Sequence, residues 1–523
     1  ASQGGEQESV QGKVVYPGQK VEYQLNTQPQ LPSSLAYGIK SVSFTDSYDR
    51  YLKPDKQTLE MMDLNTGKPV SKKKYTTKWD DSKHMFTLTV TDQETIGQWR
   101  AGTNPRIQVR FEGTVSDDAP TDHKVNNKWV LTLNNSLTPS NEVFNIPPTL
   151  NPKKKDTQKD PTIDIDGMTA LLGDEIYYRV DIDATQTNQA YKVWRLGMTD
   201  DYDDSYLKLD ASKVEITDET GKDVTARFNI QDKDGVLYAY AKTVDTEVPA
   251  TGETVKGDPQ PTDLKAYSES DEHDPLTQPS IDQTLLGHTY TVTMPMTVIK
   301  VTDGYVVRNK ATQVLNKVRK DTNEVTNPLK PVNPSKDVTV KVGGESVNGR
   351  SIYKGRTFLY QLDSSILPAH RAYPQVDEWY IEDALDPAFD EFTGQWVVYA
   401  SRDLYRDGQV IAAKGEKIAG SGFDSSRFGG DLFTLSTASV DGRNVVTIGT
   451  TEAYRALVSA DNEHEAGWRP YIQTTRLAVT DRHENQFTEH YNGKAFQSNI
   501  VWTRTPDMTP GIHIEKYDVA SGE

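Results

Sequence analysis

Three copies of one short cassette constrain how this chain of 523 residues can fold. Ser140-Asn141-Glu142-Val143, Thr322-Asn323-Glu324-Val325 and Ser498-Asn499-Ile500-Val501 all obey the rule [Ser/Thr]-Asn-x-Val, at separations of 182 and 176 residues. A proline link follows each copy: Pro147, Pro148 and Pro152, then Pro328, Pro331 and Pro334, then Pro506 and Pro510. Proline has no backbone N–H and a fixed φ, so these links cannot run through the middle of a sheet. After each link the chain restarts on lysine, at Asn151-Pro152-Lys153-Lys154-Lys155-Asp156, at Lys336 and at Lys516. An internal repeat of this length means one domain per copy, in keeping with a chain too long for a single core.

The segments between cassettes alternate with period two. Val21–Leu25, Phe86–Val90 and Ile107–Phe111 in the first unit read as strands, as do Glu175–Val180 in the second and Thr357–Leu362 in the third. Asp63–Val70, Asp218–Val224 and Arg406–Val410 read as hairpin turns at matching places. Helical periodicity is confined to short pieces such as Gln93–Arg100. The pattern predicts an all-β chain of three tandem β-sandwiches, each larger than a minimal immunoglobulin domain, at 1–147, 148–331 and 332–508. Residues 509–523 begin a further domain or a linker, and Glu253–Gln283, rich in Pro, Asp, Glu and Ser, reads as a mobile surface insertion.

Composition excludes several kinds of chemistry. A net charge of −18 argues against a nucleic-acid backbone as partner. With no cysteine there are no disulfides, thiol nucleophiles or Cys-ligated zinc. No run of eighteen apolar residues spans a membrane, and neither a leader nor a sorting signal is evident, so the chain reads as a fragment of something longer. Something other than disulfides then has to staple its domains.

An acidic element recurs between each lysine and the next asparagine: Phe44-Thr45-Asp46-Ser47-Tyr48-Asp49, Met198-Thr199-Asp200-Asp201-Tyr202-Asp203 and Ile381-Glu382-Asp383-Ala384-Leu385-Asp386. Lys155 precedes Asp200 by 45 residues and Lys336 precedes Asp383 by 47, whereas Lys159 precedes Asp200 by only 41. Lys, a strand-end Asp and a final-strand Asn are the parts of an intramolecular isopeptide bond. Burial lowers the lysine pKa and raises that of the acid. A neutral amine can then attack the carboxamide while the protonated acid polarises its carbonyl, and ammonia leaves.

With this order, the proline junctions and the Asn-Pro-x-Lys-Asp restart, the chain resembles the C-terminal region of the streptococcal antigen I/II surface adhesins and the related aggregation-substance adhesins. The resemblance covers all three units and is strongest from Asn151 to Thr503. It implies elongated, immunoglobulin-like stalk domains cross-linked by isopeptide bonds and anchored to the cell wall beyond the last domain. Carried over by position, it implies Lys155, Asp200 and Asn323 in the second unit and Lys336, Asp383 and Asn499 in the third. In the first unit Asp46 and Asn141 are present, but counting back from Asp46 reaches residue 1 before a matching lysine, and Lys13 aligns with Arg350. Ile512-His513-Ile514-Glu515-Lys516 resembles the opening strand of a pilin-like domain.

Other signals are local. Asp200 to Asp204 could hold Ca²⁺, through Asp201 and Asp203 in particular, or form a solvated acidic turn. Asp232-Lys233-Asp234-Gly235 lacks the distal glutamate of an EF-hand and reads as a hairpin. No hydrolase elbow, phosphate loop or spaced histidine set occurs. The sequence therefore reads as a non-enzymatic stalk of a cell-surface adhesin whose only chemistry is one autocatalytic event per domain, with no required cofactor. Host glycoproteins or other bacterial cells are the expected partners of the whole adhesin; the rival reading makes this fragment the binding module.

Overall fold

The computed structural model describes residues 8–27, 38–100, 106–248, 251–257, 263–274 and 277–508. The expected opening strand at 511–518 lies outside the described residues. Alternating strands bury every second side chain, and they stack into three sandwiches, each with its own apolar core.

In the second sandwich one sheet runs Lys153–Thr157, Glu175–Ala184, His288–Val298 and Leu207–Leu209, with Glu215–Asp218 also on His288–Val298. The facing sheet runs Phe228–Lys233, Val236–Ala241, Leu196–Asp201, Ala311–Leu315 and Val318–Asp321. The third sandwich repeats this plan, from Ser335–Thr339 and Thr357–Asp363 in one sheet to Trp379–Leu385 at the centre of the other. In both, a short ladder closes the domain: Val306–Asn309 with Val325–Pro328, and Thr480–Asn485 with Val501–Thr505.

The first sandwich has the same facing sheet, but its other sheet contains only Lys20–Asn26, Ile107–Val115, Leu52–Asp63 and Lys68–Pro69. Among the described residues no strand pairs with the outer edge of Lys20–Asn26, where the other two sandwiches place their lysine-bearing strand.

The cores interlock across the junctions. Ala190 and Tyr191 of the second unit pack into the first core, Val14 and Tyr16 into the second, and Leu171 into the third. Lys494 Nζ, from the third unit, lies 3.1 Å from Asp174 Oδ1 of the second.

The hairpin turns form where expected; at Arg406–Gln409 both Asp407 (φ 50°) and Gly408 (φ 76°) adopt the left-handed conformation that a two-residue turn needs. The described part of the insertion is not a loose loop. Leu264–Glu269 is helical, and Leu264 packs with Tyr238, Tyr240 and Val314. The fully buried guanidinium of Arg195 gathers the carbonyls of Tyr267, Ser268 and Ser270 and pairs with Asp271. Composition hid this because few residues carry the contact. The helix Glu452–Ala460, capped by Thr451, was also absent from the sequence reading.

Candidate functional site

The cassette residues act together, and locally. The hydroxyl of Ser140, Thr322 or Ser498 accepts the backbone N–H of Trp129 (3.0 Å), Ala311 (3.0 Å) or Phe487 (3.1 Å), beside the central strand that carries the acid. The following asparagine turns outward to the lysine strand. Asn323 Oδ1 accepts the backbone N–H of Lys154 and its Nδ2 donates to the carbonyl of the same residue, both at 2.9 Å. Asn499 holds Lys336 identically, at 2.8 and 2.9 Å. Val325 and Val501 then re-enter the cores.

This clamp sets the register of the lysine strand. Lys154 stands opposite Val180 and Lys336 opposite Leu362, so both side chains point between the sheets. There Lys154 Nζ is hydrogen-bonded to Asp200 Oδ2 and Lys336 Nζ to Asp383 Oδ2, with all four side chains fully buried. Each amine also lies over a tyrosine face, 5.0 Å from the Tyr178 centroid and 4.3 Å from that of Tyr360.

Desolvation is the dominant influence on both pairs. It pushes Lys154 and Lys336 below the usual lysine range and Asp200 and Asp383 above the usual carboxylate range, although each partner pulls the other way. Both shifts run in the direction of a neutral amine facing a neutral acid.

Lys155 is a correction. It lies exposed on the outer face of its strand, as does Lys153, and Lys154 alone of the three is buried. Side chains alternate across a strand, so counting one residue off selects the wrong face. Lys159 is exposed as well. The Asn-Pro-x-Lys restart holds the right register, since it aligns Asn151-Pro152-Lys153-Lys154 with Asn333-Pro334-Ser335-Lys336.

The asparagines require a second correction. Asn323 and Asn499 are exposed, with their amides committed to backbone. Other carboxamides accompany the acids. Asn309, 2% exposed, lies against Asp200, and neither of its polar side-chain atoms completes a hydrogen bond of normal geometry. Asn485 lies likewise against Asp383, with Nδ2 unpartnered. In the first sandwich Asn127 Nδ2 donates to Asp46 Oδ1 at 2.9 Å, and Asp46, lifted by burial to about 8, leaves Oδ2 without a partner. Asn127, Asn309 and Asn485 each precede the cassette asparagine by fourteen residues, a constant interval that was the missed signal. Asn141 is exposed on the sandwich surface, and Lys13 pairs with Glu8 outside the core at 2.7 Å.

Asp201 is exposed, Asp203 accepts the Tyr305 hydroxyl, and among the described residues no three His, Cys, Asp or Glu side chains converge as metal ligands. Among the same residues no helix is long and apolar enough to cross a membrane.

Comparison with known proteins gives a consistent picture. The sequence model described as "Cell surface antigen I/II C2 terminal domain" matches residues 1–147 and 152–329, and that described as "Cell surface antigen C-terminus" matches 333–506. The aggregation substance of Enterococcus faecalis is 30% identical over 313 residues, covering 59% of this chain and 20% of that protein. The chain thus spans about a fifth of the curated relative. The solved C-terminal domain of the Streptococcus pyogenes antigen I/II-family protein AspA is 20% identical with a TM-score of 0.51, covering 68% of this chain and 99% of that one. The C-terminal domain of the Streptococcus agalactiae AgI/II polypeptide BspA is 18% identical with a TM-score of 0.48, covering 68% of this chain and all of that one.

Proposed function

Because the chain belongs to the antigen I/II family of cell-surface antigens, we propose that it is the stalk of a wall-anchored adhesin, locked by bonds from Lys154 to Asn309 and from Lys336 to Asn485. The observation that carries this is the burial together of an amine, an acid and an under-bonded carboxamide in two successive domains.

The chemistry follows from burial. The neutral lysine Nζ attacks the asparagine Cγ while the protonated aspartate donates to the carboxamide oxygen. The C–Nδ2 bond breaks as the new C–Nζ bond forms, and the aspartate relays a proton from the amine to the departing nitrogen. One ammonia leaves per bond, and the enclosed product is cut off from water, so each site turns over once.

Such bonds tie the first strand of a sandwich to its closing ladder, and tension along the chain passes through covalent links. That suits a spacer carrying a binding head toward host glycoproteins or other cells. The alternative, a fragment that itself binds ligand, draws support from a cavity of about 310 Å³ where the first and second units meet, lined by Tyr16, Lys20, Trp194 and His273. Intact-mass measurement tests the principal reading. The protein should weigh two ammonia molecules less than its sequence, and the full sequence mass would overturn it.

A further inference from the structure

One place in the core is charged in the third sandwich and apolar in the other two. Tyr360, Tyr178 and Tyr23 are equivalent residues, opposite Ile472, Met294 and Phe111 on their neighbouring strands. Four residues further along those neighbours stand Arg476, Val298 and Val115, and opposite them stand Asp390, Leu207 and Leu52. In the closing ladder His483 faces Thr503, where Val307 faces Asn327 in the second sandwich and Val125 faces Asn145 in the first. A set of one leucine and two valines thus becomes Asp390, Arg476 and His483, and every member in every sandwich is buried.

The three charged side chains form one network. Asp390 Oδ1 accepts from Arg476 Nε at 3.0 Å, and Oδ2 accepts the Tyr360 hydroxyl at 2.6 Å and lies 3.0 Å from His483 Nε2. Arg476 also donates to the hydroxyls of Thr505 and Thr503, at 3.0 and 2.8 Å. Burial alone would raise the Asp390 carboxyl, but the bond to His483, the Arg476 charge and the Tyr360 hydroxyl outweigh it and hold the group below the usual carboxylate range. Stability does not account for this set. Two sandwiches of the same chain use apolar residues there, and exchanging a buried ion pair for well-packed apolar side chains is often neutral or stabilising.

The network does reach both reacting groups. The Tyr360 ring lies 4.3 Å from Lys336 Nζ, and its hydroxyl is held by Asp390; Tyr178 lies 5.0 Å from Lys154 Nζ, and its hydroxyl has one long contact, 3.4 Å to Asn327 Oδ1. His483 is two residues before Asn485 on one strand, and side chains two apart share a face. Fixing His483 therefore fixes the approach of Asn485.

We infer that Asp390 is a positioning residue for the bond between Lys336 and Asn485. Its carboxylate holds the platform under the amine through Tyr360 and the strand of the carboxamide through His483, while Arg476 ties the second strand of the closing ladder to the same point. The inference rests on the reaction proposed above and adds that the third sandwich controls its geometry by a device the second lacks.

The test follows the whole protein during cell-free synthesis. Timed samples are digested, and each bond is counted from the mass of its linked peptides, so the bond from Lys154 to Asn309 serves as a clock within the same molecule. The combined variant Asp390→Leu, Arg476→Val, His483→Val reproduces the residues of the second sandwich. It should slow the third bond on the order of tenfold to a hundredfold, the scale on which misplaced reactants lose rate, and leave the second unchanged. His483→Gln, which keeps a donor toward Asp390, should retain most of the rate that His483→Val loses. In an Asn485→Ala background, where the third bond cannot form, the three substitutions should leave the melting temperature the same or higher. An unchanged third bond in the combined variant would overturn the inference, as would a lowered melting temperature in the Asn485→Ala background, which would make the network merely structural. Should the combined variant fail to fold, equal rates in His483→Gln and His483→Val would overturn it too. If neither bond forms in the unaltered protein, the underlying reaction fails and the inference falls with it.

Discussion

Replacing Asn485 by alanine separates the bond from the clamp. Lys336 and Asn485 are 149 residues apart in sequence. Cross-linking a loop of about 150 residues restricts the unfolded chain by about 5 kcal/mol in the chain-entropy relation. Removing the side chain also gives up the bond its Oδ1 accepts from the Gln486 backbone N–H at 2.7 Å, a further cost of about 0.5–1.5 kcal/mol, while its Nδ2 has no hydrogen-bond partner to lose. For a domain of this size, each kcal/mol moves the melting temperature by about 2–4 °C, so the third transition should fall by about 10–20 °C. The mass of Asn485→Ala should show one ammonia loss instead of two. Asn499→Ala is the matched control: it removes two hydrogen bonds to the backbone of Lys336, worth about 1–3 kcal/mol, and should keep both losses. Calorimetry and intact mass on the two variants decide the matter. Both ammonia losses in Asn485→Ala, or a missing one in Asn499→Ala, would refute the assignment of Asn485 as the carboxamide that reacts.

Asp200→Ala should keep one ammonia and lose stability in the second sandwich alone, since it strands a buried amine, a defect of about 3–5 kcal/mol even before the missing bond is counted; an unchanged mass loss would show that the acid is dispensable. Asp46, raised by burial to about 8, binds its proton more tightly folded than unfolded, so its contribution is fully present below the unfolded pKa and lost as pH rises through about 8. The melting temperature of the first sandwich should therefore decline between about pH 4 and pH 8, and Asp46→Asn should flatten that slope. Asp156 is buried with neither carboxylate oxygen completing a hydrogen bond and is raised to about 7, where the third sandwich has Val338. Asp156→Val should stabilise the second sandwich by about 1–3 kcal/mol above that pH and by less at pH 5, as thermal denaturation at the two values would reveal.

Much of this was legible in the sequence because it is periodic. Strand alternation and repeated cassettes gave the sandwiches, and the lone lysine of Asn-Pro-Ser-Lys336 gave the third site its amine without ambiguity. Lys153-Lys154-Lys155 gave three amines, and only the pleat decides among them. The buried carboxamides beside the acids stayed hidden behind a better signature. Asn323 and Asn499 belong to a conspicuous motif because they carry out a local task, holding backbone, whereas Asn309 and Asn485 owe their place to packing from distant strands. The insertion was misread for a similar reason: its composition is polar, but Leu264 and the carbonyls around Arg195 fix it in place.

The triple lysine has one more consequence. In the third sandwich a one-residue slip of the entering strand turns Ser335 or Asp337 inward, and the mistake can be undone. In the second, the same slip presents Lys153 or Lys155 to Asp200, and a bond made then would be permanent. The irreversible bond proposed above would turn strand register into a race. Pairing of a short strand is sampled on the order of microseconds, so the reaction has to be far slower than that sampling. Asn323 would then serve as a checkpoint for the proposed bond, because both of its bonds to the backbone form in the register that buries Lys154.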